Sequence, residues 1–135
     1  RRVQGEEHPL TLSAISDMGF VLAAQGSFSE AMVYHTEALE KRRRILGQEH
    51  PDTIVSINDT ALVLSKQERY DEGIELLAEV LEIQGRSLGD KAPQNLKVLE
   101  EILKMYAALH QADPDAGHDV AAAEYRQQLA QIQVP

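Results

Sequence analysis

The sequence contains no cysteine and no tryptophan, and only 4% of its residues are aromatic. The lack of cysteine excludes a disulfide framework and thiolate chemistry, and it fits a reducing compartment. With so few rings, a core must be built from aliphatic residues and alanine, which suits closely packed helices. We therefore expect a helical protein of the cytoplasm.

Basic residues are also scarce. The sequence has 13 Lys and Arg against 22 Asp and Glu, which gives a formal net charge of −9. Such a chain repels phosphates, which argues against general binding to nucleic acid or to an anionic membrane. No apolar run approaches the ~20 residues that span a bilayer, and no secretion signal is present. We expect neither nucleic acid nor membrane as a partner. Because the chain opens at Arg1 without a methionine, we expect it to be part of a longer protein.

What the sequence does contain is a repeat. An eight-residue segment beginning at Gly5 returns at Gly47 and, in a degenerate form, at Gly89, which gives two steps of 42 residues. Equal tandem steps of this size are typical of solenoid arrays, in which each copy covers the apolar face of its neighbour. The sequence predicts a single array of three repeats that covers residues 5–46, 47–88 and, with a degenerate pattern, 89–135.

Each repeat shows a helical pattern twice. In the first segment of repeat one, apolar and small residues recur at helical steps and form one packing face: Leu12, Ile15, Met18, Gly19 and Leu22. A turn at 25–27 breaks this helix, and a second helix restarts near Phe28 with Ser27 or Ser29 as its cap. Pro9, Pro51 and Pro93 open the first helix of each repeat, where proline is tolerated. The pattern predicts an all-α fold of about six helices.

The two complete repeats share turn residues, small residues and apolar residues at matching positions. In repeat one these are Gly5, His8, Pro9, Thr11, Leu12, Ile15, Gly19, Leu22, Gln25, Gly26, Phe28, Glu30, Ala31, Tyr34, Ala38 and Leu39. In repeat two they are Gly47, His50, Pro51, Asp52, Thr53, Ile57, Ala61, Leu64, Gln67, Tyr70, Glu72, Gly73 and Leu81. Together they resemble the tetratricopeptide repeat in the 42-residue form of kinesin light chains. The resemblance implies a right-handed α-solenoid that serves as a non-catalytic protein–protein interaction module.

The resemblance also implies a binding surface. In repeats of this type, the first helices line a concave groove that binds a peptide segment or a partner protein. Carried onto this sequence, the candidate binding residues are Asp17, Phe20, Asn58, Asp59, Leu62, Lys66, Lys97 and Lys104.

Among these candidates, Phe20 and Leu62 occupy the same position of successive repeats and form an apolar stripe. Asn58 lies where the family's asparagine commonly meets the backbone of an extended peptide, a task that suits an amide because it both donates and accepts. Asp17 and Asp59 replace the second asparagine of that pair. A kinesin-like preference for an acidic peptide with a tryptophan anchor is therefore not expected.

No catalytic motif accompanies the repeats. The sequence has no Gly-x-Ser-x-Gly elbow and no glycine loop that cradles phosphate. Its paired carboxylates lie on loops or solvated faces, whereas catalytic carboxylates need a closed pocket that shifts their pKa values. We expect no enzymatic activity and no cofactor.

The histidines do not form a convincing metal site. His8 and His50 are equivalent residues of successive repeats, so they lie about 10 Å apart, too far to share one metal ion at ~2 Å ligand distances. A loop role ahead of proline is the interpretation we favour for both. His110 and His118, with the acids between them, leave a weak metal site as the alternative to a solvated loop. We expect no bound metal.

The only basic cluster runs from Lys41 to Arg44. Its residues complement the carbonyl end of their helix and can pair with Glu37 and Glu40. A patch for phosphate or an acidic partner is the alternative.

Two classes of function remain open. One is an interaction module that binds a protein or peptide ligand in the groove. The alternative is a structural or sensor-arm array of a larger signalling protein, whose exposed repeat edges mediate homo-oligomerisation.

Overall fold

The computed structural model describes residues 9–89 and 92–133, and over these ranges it contains six helices and no strand. The helices are α1 (Pro9–Ala24), α2 (Phe28–Leu46), α3 (Pro51–Lys66), α4 (Tyr70–Leu88), α5 (Gln94–Ala112) and α6 (His118–Gln133). The all-α prediction is therefore confirmed. The roles predicted for Gly5 and His8 fall outside the described residues. Over the part of the chain described, no helix combines the length and hydropathy that crossing a bilayer requires.

The helices fall into two compact units, Arg1–Glu68 and Arg69–Pro135, called unit 1 and unit 2 below. In unit 1, α2 packs against both α1 and α3. In unit 2, α5 packs against both α4 and α6. The contact between α5 and α6 includes Tyr106 and Tyr125, whose rings stack with centroids 5.8 Å apart.

The turns within the first two repeats share one backbone conformation. Gly26 adopts a φ of +82°, and Glu68, the residue 42 positions later, adopts a φ of +61°. Glycine takes this left-handed conformation without steric cost, whereas a residue with a Cβ does not. The predicted break at 25–27 is confirmed. Ser27 is the N-cap of α2, but its side chain makes no capping hydrogen bond because its backbone lies outside the extended region, at ψ 66°.

Two of the three predicted proline starts are confirmed, since α1 begins at Pro9 and α3 at Pro51. Pro93 lies one residue before α5 and is its N-cap. His50 precedes α3, and its Nδ1 accepts a hydrogen bond from the Asp52 N–H at 3.0 Å. This bond satisfies one of the free N–H groups at the start of α3, which is the loop role predicted for this histidine.

Within unit 1, a buried arginine joins α2 to α3. Arg42 Nη1 donates to Ser56 Oγ at 2.7 Å and to the Asp52 carbonyl at 3.4 Å. The sequence predicts ion pairs with Glu37 and Glu40 for the basic cluster, and Lys41 does pair with Glu37 at 2.9 Å. Arg42 is instead buried, and its hydrogen-bond partners are a hydroxyl and a backbone carbonyl rather than a glutamate. Its hydrogen bonds replace the water that the guanidinium loses.

Gly19 marks a close approach between α1 and α2. A Cβ on Gly19 would lie 2.7 Å from Nε2 of His35, inside the contact distance of the imidazole ring. Only glycine therefore allows α1 to lie against the buried His35 of α2. Met18, predicted on the same packing face, is instead 45% exposed.

Candidate functional site

The helices of unit 1 surround a cavity of about 420 Å³. Nine residues line it: Phe20, Ala23, Ala24, Phe28, His35, Asp59, Leu62, Val63 and Lys66. Four of the eight binding residues predicted from the sequence, Phe20, Asp59, Leu62 and Lys66, are thus brought together around one space.

Helical spacing explains why these residues meet. The α1 residues at 20, 23 and 24 are related by steps of three and four, so they share one face of the helix. The α3 residues at 59, 62, 63 and 66 follow the same rule. The cavity is lined by these two faces together with Phe28 and His35 of α2.

The wall of the cavity is largely apolar. Phe20 is 45% exposed and Leu62 is 49% exposed, although both are large hydrophobic residues. Ala23 and Ala24 are too small to fill the space beside them, which leaves it open between the larger side chains. An apolar surface of this kind gains free energy when another molecule covers it.

Asp59 is the acid of the cavity. Its Oδ2 is buried, and no hydrogen-bond partner for it exists among the described residues. Burial raises the pKa of Asp59 to about 6, although the nearby charge of Arg42 opposes this shift. This oxygen is therefore an unused acceptor inside an apolar wall.

His35 also lines the cavity, although it is not among the candidate binding residues predicted from the sequence. Its ring meets Phe20 edge to face, with centroids 5.2 Å apart and planes at 82°. Burial lowers the pKa of His35, so the ring is neutral near pH 7. The sequence does carry a signal for this contact, because Gly19 is the smallest residue possible beside a ring, whereas position 61 of the next repeat is alanine.

The other four predicted binding residues lie elsewhere. Asp17 on α1 and Asn58 on α3 are exposed in unit 1 but do not line the cavity. Lys97 and Lys104 are exposed on α5 of unit 2, where Lys104 Nζ lies 3.3 Å from Glu101 Oε1. A binding role for these four residues stays a prediction.

The helix–helix turn of unit 2 offers little support for the alternative metal site. Within residues 9–89 and 92–133, no three His, Cys, Asp or Glu side chains cluster closely enough to hold a metal ion. His118 instead lies beside the ring of Tyr106, with centroids 6.5 Å apart.

Comparison with known proteins gives a consistent picture. The family model described as a tetratricopeptide repeat matches residues 11–52 and again residues 53–94. The two matches have the 42-residue step found in the sequence. A comparison with curated proteins gave no match.

Two solved structures resemble this chain over most of its length. One is described as a kinesin light chain of Podosopora anserina with nearly identical tetratricopeptide-like repeats. It has 25% sequence identity and a TM-score of 0.72 over 94% of this chain. The other is BtubC, also called BKLC, of P. vanneervenii, with 15% identity and a TM-score of 0.70 over 96% of this chain. This chain spans only 57% and 51% of those proteins. The predicted fold class, an α-solenoid of helix-turn-helix repeats, is confirmed.

Proposed function

Because this chain belongs to the tetratricopeptide repeat family, whose members generally act as interaction or scaffold modules, we propose that it binds a peptide segment of a partner protein without catalysis. The binding site in this proposal is the unit 1 cavity. The observation that carries it is the grouping of Phe20, Leu62 and Asp59 around one space.

The cavity has the properties of a recognition site for a side chain. Its apolar residues supply binding free energy, and its few polar groups supply orientation. The volume of about 420 Å³ falls in the range of small ligand pockets. An extended peptide that inserts one side chain here covers the exposed faces of Phe20 and Leu62.

The rest of the predicted groove belongs to the same proposal. Asp17 and Asn58 lie on the helices that line the cavity, and Asn58 is suited to hydrogen bonds with a peptide backbone. Lys97 and Lys104, on α5 of unit 2, keep their proposed binding role in that unit. The absence of cysteine supports a cytoplasmic setting.

Selection from a random peptide library displayed on phage tests this function. The dissociation constant of a selected peptide is then measured for the wild-type chain and for Phe20→Ala combined with Leu62→Ala. We expect affinity to fall at least about tenfold in the double variant, since anchor side chains dominate binding energy.

The matched control is Val33→Ala combined with Val120→Ala. Both valines are exposed and neither lines the cavity, so affinity is expected to stay at the wild-type value. Equal affinity of wild type and the folded Phe20 and Leu62 variant contradicts the proposed site.

Self-assembly is a second candidate, favoured by a different observation. Met18 and Val21 on α1 are 45% and 52% exposed although both are apolar. A second copy that covers them removes this surface from water. Light scattering over a range of concentrations tests the idea. A mass that rises above the monomer value of 15.0 kDa, and that Met18→Lys with Val21→Lys restores, favours assembly, whereas a constant monomer mass contradicts it.

A further inference from the structure

The unit 1 cavity contains one acid, Asp59, with an unsatisfied oxygen. Among the described residues, Asp59 Oδ2 has no hydrogen-bond partner, although this atom is buried. A buried acceptor without a donor is costly, and binding sites are where such groups are retained. The kind of group that could donate to this carboxylate therefore indicates the chemical class of the ligand.

Aromatic rings lie around the same cavity. Phe20 and Phe28 both line it, and the face of an aromatic ring attracts a cation. A carboxylate accepts charge-assisted hydrogen bonds from ammonium and guanidinium groups, which are stronger than neutral ones. Rings and a carboxylate around one apolar space therefore favour a cationic side chain.

The positive groups near Asp59 leave room for such a ligand. Arg42, on α2, already donates to Ser56 Oγ and to the Asp52 carbonyl. His35, also on α2, is neutral near pH 7 because burial lowers its pKa. Lys66, on α3, is exposed on a flexible stem that can remain in water. The α1 residues that line the cavity are uncharged.

The charge of the whole chain points the same way. A formal charge of −9 attracts a basic partner and speeds its association. An acidic ligand is repelled both by this net negative charge and by the Asp59 carboxylate.

We infer that the cavity binds an arginine or lysine side chain of a partner peptide. Its aliphatic stem lies against Phe20 and Leu62, and its charged head donates to the Asp59 carboxylate. This inference rests on the proposed function, to which it adds the chemical class of the ligand. Long basic side chains suit the site because their stems are apolar while their ends are charged.

The test uses three capped tripeptides, Ala-Arg-Ala, Ala-norleucine-Ala and Ala-Glu-Ala, titrated into the ¹⁵N-labelled chain. Amide chemical shifts of Phe20, Asp59 and Leu62 report occupation of the cavity. We expect the arginine peptide to bind about tenfold more tightly than the norleucine peptide, which has the stem without the charge. The glutamate peptide is expected to bind most weakly.

Two variants assign the preference to Asp59. Asp59→Asn keeps the shape of the side chain, and it is expected to make the arginine and norleucine peptides bind equally. Glu40→Gln removes one exposed negative charge of unit 1 outside the cavity, and it is expected to keep the tenfold preference.

The pH dependence gives a second readout. Because Asp59 must be ionised to bind a cation, affinity for the arginine peptide should rise from about pH 5 to about pH 7 in the wild type and stay flat in Asp59→Asn. Equal binding of the arginine and norleucine peptides, tighter binding of the glutamate peptide, or absence of shifts in the cavity amides overturns the inference. So does a preference for arginine that survives in Asp59→Asn. Such results, with binding of the phage-selected peptide still dependent on Phe20 and Leu62, refute the basic ligand and leave the peptide site standing.

Discussion

Unit 1 and unit 2 are built on the same repeat but bury different side chains. Among the described residues, the buried polar or charged side chains of unit 1 are Ser16, His35, Arg42, Thr53, Ser56 and Thr60. Unit 2 buries Asn95 and otherwise aliphatic residues, such as Leu77, Val80, Leu99 and Ile102. Buried polar groups cost stability unless each finds a partner. The polar core lies in the unit that also contains the cavity, which indicates that unit 1 is the specialised half.

Equivalent positions make the contrast concrete. The residues 42 positions after His35 and Arg42 are Leu77 and Gln84, and the residue 42 positions after Ser56 is Val98. Leu77 and Val98 are buried. Matching positions of the repeat thus carry either aliphatic or polar side chains.

The largest effect is expected in the aliphatic core of unit 2. Leu99 is fully buried, so Leu99→Ala removes apolar contacts and leaves a cavity. We expect the free energy of unfolding to fall by about 3 kcal/mol, measured by urea denaturation. Leu88→Ala, at a half-exposed leucine of the same unit, is the control and should cost far less. Equal losses in the two variants contradict the proposed importance of this core.

In unit 1 the close approach at Gly19 should be nearly as sensitive. Gly19→Ala places a Cβ against the His35 ring, and we expect a loss of about 2 kcal/mol in unfolding free energy. His35→Ala removes the clashing ring, so the double variant should lose less than the sum of the two single changes. Additive losses measured in this cycle contradict a direct steric contact.

The hydrogen bonds of Arg42 are expected to matter somewhat less. Arg42→Met keeps much of the apolar stem but leaves Ser56 Oγ without its donor, so unfolding free energy should fall by about 1.5 kcal/mol. Adding Ser56→Val should recover part of the loss, since the residue 42 positions later in the repeat is a valine. If the double variant loses more unfolding free energy than Arg42→Met alone, then unit 1 cannot replace this hydrogen bond with the aliphatic packing found in unit 2.

The smallest effect concerns Asp59 and has the opposite sign. Its folded pKa is raised to about 6 from 3.8, so the folded state binds more protons than the unfolded state between these values. Stability contributed by this group is therefore lost as pH rises through about 6. Asp59→Asn should raise unfolding free energy at neutral pH by about 1 kcal/mol, a value reduced for screening by water at a partly exposed carboxyl.

The comparison across pH sharpens this prediction. The gain in Asp59→Asn should disappear below about pH 4, where the folded and unfolded wild-type chains are both protonated at this position. Glu40→Gln, at an exposed acid of the same unit, should show no such pH-dependent gain. A loss of stability in Asp59→Asn at neutral pH shows that the carboxylate has a partner in solution.

The fold was predictable because it depends on features that repeat. The 42-residue step, the prolines before the first helices and the turn at 25–27 each report local backbone geometry. Phe20 and Leu62 were predictable as a pair for the same reason, since they occupy one position of successive repeats.

Features that occur only once were not predictable in this way. The burial of Arg42 and the position of His35 depend on which side chains face each other across two helices. Asp59 Oδ2 has no hydrogen-bond partner among the described residues, and predicting this requires the positions of all the side chains around it. The periodicity of the sequence indicates on which face of its own helix a residue lies. It does not indicate which side chains of the neighbouring helix lie opposite that residue.

The left-handed turn at Glu68 shows how the two copies have diverged. Gly26 supplies this conformation freely in the first copy, whereas Glu68 holds the same bend with a bulky side chain and a positive φ. One turn geometry is thus compatible with two very different residues, although only glycine adopts it without steric cost. Glu68 is therefore a position where a change to glycine should relieve backbone strain without altering the path of the chain.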